Sequence, residues 1–379
     1  MKILVITHYH EANGSNRSMA DLVFGLQTLG VEIHLVVPRE GSLSALFYSS
    51  ELNILVVPIP WWMSVNKLTS FQSLVLAIEI RNSAFKISRI IKEKGIDLVY
   101  TNTSVTPVGC LAAHIAGVPH VWQIREYGNL DFGLRFNFPV WASKRLLRSS
   151  DAIIVHAQGV KEKQFFSTDD KVHLIYNGVA TEAQFEERLK TRDVSLSNGE
   201  FTFLMASSFN PVKRLEAAIH ALKSLQRQGL RARLILAGGG EKSYVNSLHL
   251  LVNELGLDSC VSFPGFLMDP YPQYFMSDCL LVCSDYEAFS RSALEAMSTA
   301  LPVIGRASGG TLEIIRDGET GFLFNNQNEL VTCMAELITK PELARQMGIA
   351  GWKRARKDFT VERCAAEVFY LFKSVLGTS

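Results

Sequence analysis

The sequence has no CxxC pair, no long apolar run and no excess of either charge. Its six cysteines (Cys110, Cys260, Cys279, Cys283, Cys333 and Cys364) are scattered, which excludes a disulfide scaffold or zinc ribbon and fits a reducing compartment. The longest apolar stretch, Leu55 to Met63, is nine residues with two prolines, far short of the roughly 20 a membrane span needs. Lys plus Arg number 38 against 37 Asp plus Glu, so the basic footprint of a dedicated nucleic-acid binder is missing. No GxGxxG follows a strand, which removes the usual dehydrogenase fingerprint. Gly238-Gly239-Gly240-Glu241-Lys242-Ser243 ends like a Walker loop, but its lysine follows no glycine at the required spacing. A GxSxG hydrolase elbow is also missing. His8 and His10 lack a third metal ligand nearby and Asp169-Asp170 reads as a polar turn, so no metal and no cofactor are expected.

What remains is an ordinary globular composition, 47% hydrophobic and 20% charged over 379 residues, enough for two full cores. Met1–Thr7 opens like a signal peptide, but its apolar run stops at His8-Tyr9-His10. It reads as a buried first strand, with a cytoplasmic protein as the expectation. Short apolar runs alternate with amphipathic stretches of helix length, the signature of parallel βαβ units. Strands are expected at 2–7, 32–37, 53–58, 98–102, 120–124, 152–156 and 171–176, with helices at 18–29 and 65–94. In the second of these, Leu68, Phe71, Leu74, Val75 and Ile78 are the spaced apolar positions. The pattern restarts at Phe201–Ala206 and runs through strands at 233–237, 261–263, 279–282 and 302–304. This predicts an α/β chain of two Rossmann-like domains, 1–180 and 201–355. A polar linker joins them at 181–200, and a C-terminal segment follows at 356–379.

The most informative segment is Glu287-Ala288-Phe289-Ser290-Arg291-Ser292-Ala293-Leu294-Glu295. One glutamate lies just past the apolar strand 279–282 and the other in the first turns of a helix. The carboxyl end of a parallel strand is where open α/β sheets bind ligands, and helix-start amides can hold a diphosphate. Ser292-Ala293-Leu294-Glu295 also fits a capping box, in which Glu295 only satisfies the helix terminus.

The segments that follow, Leu301-Pro302-Val303-Ile304, Gly309-Gly310, Glu313-Ile314-Ile315 and Asp317-Gly318-Glu319-Thr320-Gly321-Phe322-Leu323, decide between the two. Together with E-x7-E they resemble the retaining, GT-B-fold glycosyltransferases of family four, of bacterial surface-polysaccharide type. The resemblance implies two facing Rossmann-like domains with a central cleft and a C-terminal helix that crosses back to the first domain. It implies that Glu295 holds the donor ribose and Glu287 lies beside the donor sugar. Backbone at Ala288, Phe289, Ser290 and Arg291 would touch sugar and diphosphate. Gly14-Ser15-Asn16-Arg17-Ser18 looks like the family's glycine loop, though a plain βα turn capped by Ser18 fits as well. Lys213, in Pro211-Val212-Lys213, matches the lysine that neutralises the leaving diphosphate. Phe266, Leu267 and Met268 match the stretch that packs the base, and 175–179 the run into the hinge.

Two positions depart from that pattern. Ser208 stands in the donor site where many relatives carry arginine, which removes a cation. Arg291 is the nearest replacement, and Arg214 a weaker one if it follows Lys213 on a helix, about 100° away. In Val121-Trp122-Gln123-Ile124-Arg125-Glu126, Gln123 replaces a histidine, so this position can bond a sugar hydroxyl but cannot shuttle a proton. Gln123 and Arg125 are the acceptor candidates.

The resemblance implies transfer from a nucleoside-diphosphate sugar, a UDP-sugar being the expected donor, to a glycan or polyprenyl-diphosphate-linked hydroxyl with retention of configuration. The alternatives are a nucleotide-sugar epimerase or a lapsed nucleotide-sugar-binding protein. Residues 135–148 interleave Arg135, Lys144, Arg145 and Arg148 with Phe136, Phe138 and Trp141. That mix suits an anionic membrane surface or a polyprenyl-diphosphate acceptor, and a helix with a solvated basic face and buried aromatics equally. Trp61-Trp62-Met63 is a second candidate for such contact, with core packing as the plainer reading.

Overall fold

The computed structural model describes residues 1–47, 52–129, 133–163, 170–192 and 200–378. It divides into unit 1, Met1–Gly178 with Val361–Ser379, and unit 2, Val179–Thr360. Each unit is built on a wholly parallel main sheet of short apolar strands. Such strands are buried on both faces, which is why they read as near-continuous hydrophobic runs.

Unit 1 carries β1 (Lys2–Ile6), β2 (Glu32–Val37), β3 (Asn53–Val56), β4 (Met63–Ser64), β5 (Leu98–Thr101), β6 (His120–Ile124), β7 (Arg135–Phe136), β8 (Ala152–Val155) and β9 (Val172–Leu174). Its main sheet runs β3-β2-β1-β5-β6-β8-β9, while β4 and β7 pair as a separate antiparallel ribbon. Alternate residues of β1 divide between two layers. Ile3 and Val5 pack with Met19, Val23 and Leu26 of the helix Gly14–Thr28 and with Ala365 and Val368 of the helix Val361–Val375. Ile6 faces the helix Val108–Ala116, where a Cβ on Gly109 would overlap the Thr101 hydroxyl and press on Ile6.

Unit 2 carries β10 (Phe201–Ala206), β11 (Ala232–Ala237), β12 (Val261–Gly265), β13 (Cys279–Val282), β14 (Val303–Arg306) and β15 (Gly321–Phe324). Their order is β12-β11-β10-β13-β14-β15. Phe203, Met205, Leu234, Leu236, Leu281 and Ile304 build the core against the helices Leu215–Arg227 and Gln327–Thr339.

Four expectations are corrected. The first helix starts at Gly14, capped by Asn13, whose side chain accepts from the Asn16 amide at 3.0 Å. Ser18 is therefore inside the helix, and Gly14 and Ser15 belong to its first turn rather than to a loop. The segment read as a linker holds the helix Glu182–Thr191, begun by a Thr181/Gln184 capping box, while 193–199 lies outside the described residues. The division between units falls at 178/179 and 360/361, where Ala180 and Thr360 form a parallel bridge within unit 2. Finally, the long helix spans Ser70–Lys94 and buries Leu76, Ile80, Ala84, Ile87 and Ile91. Phe71, Leu74, Val75 and Ile78, the spaced apolar positions that marked the helix, are exposed.

Candidate active site

In unit 2 the chain lays β10, β11 and β12 outward in one direction, then returns to place β13 on the other side of β10. At such a switch point the connections leaving two neighbouring strands diverge, and their carboxyl ends form a binding crevice. Lys213 follows β10 and Glu287 follows β13. The Lys213 Nζ donates to Glu287 Oε2 at 2.7 Å, with both side chains mostly covered. The pair spans the switch point.

Local structure aims each partner. Pro211–Lys213 is a single 3₁₀ turn, and Arg214 has φ 52° before the helix at Leu215 begins. Lys213 and Arg214 therefore do not share a helix. Arg214 turns to Asp285 at 3.1 Å and Glu216 at 3.2 Å, and its bond to Asp285 raises its pKa. Arg306, at the end of β14, reaches the same Asp285 carboxylate at 3.3 Å. On the β13 side, the Gly310 amide donates to the Glu287 carbonyl at 2.7 Å. A Cβ on Gly310 would overlap the Ala288 carbonyl oxygen, so glycine lets the turn after β14 lie against the backbone at 287–289. Ser308 Oγ donates to the Asp285 carbonyl in the same packing.

Ser290 caps the helix Arg291–Ser298, its Oγ accepting from the Ala293 amide at 3.3 Å. The capping-box reading of Ser292 and Glu295 is thereby corrected, because the cap lies two residues earlier and position N3 is Ala293. Glu295 instead accepts from Tyr274 Oη at 2.9 Å and from Arg291 Nε at 2.7 Å. It is only 6% exposed and Tyr274 is fully buried. Burial, and then the charge of Glu295, hold the Tyr274 hydroxyl well above its ordinary pKa, so it stays a donor. Arg291, the expected stand-in for the cation missing at Ser208, is engaged with Glu295. Ser208 is exposed and accepts from Asn210 Nδ2 at 3.0 Å.

Phe289 and Ser290 are buried, whereas Phe266 and Met268 stand exposed just beyond β12. Gly14 and Ser15 belong to unit 1. So do Gln123 and Arg125, and these two are joined. Arg125 donates to Gln123 Oε1 at 3.0 Å, to Asn102 Oδ1 at 2.7 Å and to Asn177 Oδ1 at 3.2 Å. Glu126 accepts from the hydroxyls of Thr103 and Ser104. His8, beside this cluster, has its pKa lowered to about 3 by burial and by Arg125. His10 is held by Arg39 Nε at 2.9 Å. Among the described residues no group of three His, Cys, Asp or Glu is placed to hold a metal.

The sequence reading missed Tyr274, Asp285 and Arg306 in unit 2 and Asn102 in unit 1. Tyr274 lies 21 residues before its partner, with no local signal. Asp285 sits two residues before Glu287 and was within reach as a strand-end carboxylate.

Two family models divide the chain between them. Residues 12–183 match Glycosyltransferase Family 4, and residues 187–354 match Glycosyl transferases group 1. An uncharacterized glycosyltransferase of Methanocaldococcus jannaschii is 29% identical over 77% of this chain and 80% of its own length. The N-acetyl-alpha-D-glucosaminyl L-malate synthase of Bacillus anthracis is 23% identical over 99% of this chain and 98% of its own. Among solved structures, Anabaena HepE in complex with UDP-glucose superposes with a TM-score of 0.79 at 21% identity, over 99% of this chain and 100% of that one. That likeness shows the shared fold. Two consecutive glycosyltransferase models together span most of the chain, on two Rossmann-like units, and they support a glycosyltransferase.

Proposed function

We propose that the protein moves a sugar from a nucleoside-diphosphate donor, a UDP-sugar, to a hydroxyl of a glycan or polyprenyl-diphosphate-linked acceptor, with retention at the anomeric carbon. The observation that carries this reading is the Lys213–Glu287 pair across the unit 2 switch point. A departing diphosphate gains negative charge, and a fixed ammonium with helix-start amides lowers that barrier. Glu287 sets the lysine where the donor sugar would lie, and Glu295, oriented by Tyr274 and Arg291, accepts from the ribose hydroxyls. Phe266, Leu267 and Met268 flank the base.

In the step itself, the bond between the anomeric carbon and the diphosphate oxygen breaks, and its electron pair stays on the diphosphate. The acceptor oxygen bonds to that carbon, and its proton goes to the departing diphosphate, since Gln123 cannot carry it. Gln123 and Arg125 orient the acceptor. The structures of Anabaena HepE hold UDP and UDP-glucose, which supports the donor class. Both matched families are transferases, which disfavours an epimerase or a lapsed binder.

We place the enzyme in surface-polysaccharide synthesis at the cytoplasmic face of a membrane, held through the basic stretch 135–148. Its charge stabilisation comes from Lys213 and the helix start, so transfer should survive excess EDTA. Loss of activity restored by Mg²⁺ or Mn²⁺ would overturn that part. A thermal-shift panel of UDP-, GDP- and ADP-sugars tests the whole reading, because a ligand that binds the native state raises its melting point. A UDP-sugar that shifts melting and is consumed only with acceptor present is expected. Consumption without acceptor would favour the epimerase, and no shift by any nucleotide would refute donor binding.

A further inference from the structure

The helix Ser70–Lys94 is apolar on two opposite sides, and the fold of unit 1 uses only one of them. At 100° per residue, Leu76, Ile80, Ala84, Ile87 and Ile91 gather on one side, which is buried. Phe71, Leu74, Val75, Ile78 and Phe85 fall within an arc of about 100° centred opposite, and all five are exposed, Phe71 by 73%. A helix packed on a soluble domain ordinarily shows water one polar face. An exposed face this apolar marks a surface that meets something other than water.

The charges around the stripe say what that is. Arg81 and Lys86 lie about 20° beyond its two edges, and Arg89 and Lys92 continue its line toward the C-terminus. All four are exposed. Glu79 and Glu93 are the only acids on this helix. An apolar stripe bordered by cations is complementary to an anionic bilayer, with apolar groups among the acyl chains and ammonium and guanidinium groups at the headgroups.

A second helix presents the same chemistry from a tethered position. On the helix Val140–Arg148, Trp141, Arg145 and Arg148 recur at i, i+4 and i+7, and Trp141 is 72% exposed. The segments that lead into the two helices are bound together. Met63 pairs with Phe136 and Ser64 with Arg135 in the β4–β7 ribbon, and Ser64 Oγ donates to Asn137 Oδ1 at 2.6 Å. Of the aromatics in the basic stretch, Phe136 packs inward on Trp62 with ring centroids 5.1 Å apart. The apolar contact area therefore has to come chiefly from elsewhere. Of Trp61, Trp62 and Met63, the last two are buried and Trp61 is half-buried against His8 and Tyr9.

We infer that the outward stripe of the 70–94 helix is the principal membrane-inserting surface of the protein, lying in the plane of an anionic leaflet with Trp141 and its neighbouring cations beside it. The inference rests on the proposed membrane association and changes its physical basis from charge on 135–148 to apolar insertion by another helix.

The experiment compares two variants of the full chain on vesicles of phosphatidylglycerol and phosphatidylcholine, and of phosphatidylcholine alone. The first variant is Phe71→Ser, Ile78→Ser and Phe85→Ser together; the second is Lys144→Ala, Arg145→Ala and Arg148→Ala together. All three apolar positions are exposed, so melting temperature and soluble-donor affinity should match the parent. Partition into the anionic vesicles should fall by about tenfold or more in the first variant, and the parent should bind phosphatidylcholine vesicles less. Parent-like binding by the first variant combined with loss in the second sinks the inference and leaves the basic-stretch reading standing. No binding by the parent sinks both. A lipid-free parent that is dimeric by light scattering, turned monomeric by the first variant, makes the stripe a self-association surface and overturns the inference.

Discussion

Glu295 gives the sharpest test of the donor site, because its two possible roles separate once its partners are known. The carboxylate is nearly buried and takes two bonds, from Tyr274 and Arg291. Truncation to alanine would strand the buried Tyr274 hydroxyl and take the carboxylate from the largely covered Arg291 guanidinium, costing on the order of 3–5 kcal/mol of stability by analogy with broken buried pairs. That loss would occur whether or not the residue touches ribose, so the alanine variant is a poor discriminator. Glu295→Gln is better. The amide keeps the volume and can still accept from Tyr274, limiting the stability cost to about 1 kcal/mol. It loses the charge, and with it a charge-assisted bond to the ribose hydroxyls worth about 1.5–3 kcal/mol. Donor Kd should then rise about 10- to 150-fold. Calorimetry gives the Kd and thermal unfolding the stability of the same sample. A Kd within about twofold of the parent, beside a lowered melting temperature, would show that Glu295 only braces its helix.

Three further outcomes follow from named contacts. Lys213→Ala should lower kcat at least about 100-fold and change donor Kd much less, since its charge is needed mainly in the transition state; equal loss in both would make it a ground-state binder. Arg291→Ala should weaken donor binding by about 1 kcal/mol through a loosened Glu295, with kcat little changed; a tenfold fall in kcat alone would instead restore it as the missing diphosphate cation. In unit 1, burial lowers the pKa of His8, His120 and His156 to about 3 each. Their unfolded forms take up protons below about 6.5, so the stability they confer is full above that pH and is lost as pH falls toward 3. Each should cost up to about 1.4 kcal/mol per pH unit in that window. Thermal unfolding at pH 7.5, 6.0 and 5.0 should show the loss, and a His120→Gln, His156→Gln double variant should flatten it; an unchanged slope would refute the assignment.

Apolar runs alone marked most of the segments that form the parallel strands. Strands such as Lys2–Ile6 and Cys279–Val282 are legible because a strand buried on both faces must be apolar throughout. Glu287 could be placed at a carboxyl end because a strand end is a fixed address in a parallel sheet, whereas Lys213 was singled out only through the resemblance of Pro211-Val212-Lys213. One strand, Gly321–Phe324, and the capped helix at 182–191 were not separated from their surroundings. Gly321 and Gly318 obscured the first, and the polar surface of the second resembles that of a linker.

Tertiary structure decided which neighbour each group meets. Periodicity marked a helix at 65–94 by the spaced apolar positions Leu68, Phe71, Leu74, Val75 and Ile78. It could not say that the opposite stripe, from Leu76 to Ile91, is the one the fold buries. A helix with two apolar sides satisfies the same pattern either way, and only the shape of the helix layer on the sheet selects between them. The pairs Glu295–Tyr274 and Arg125–Asn102 belong to the same class. Each joins positions about twenty residues apart, and such bonds leave no local trace because they exist only when separate elements have packed.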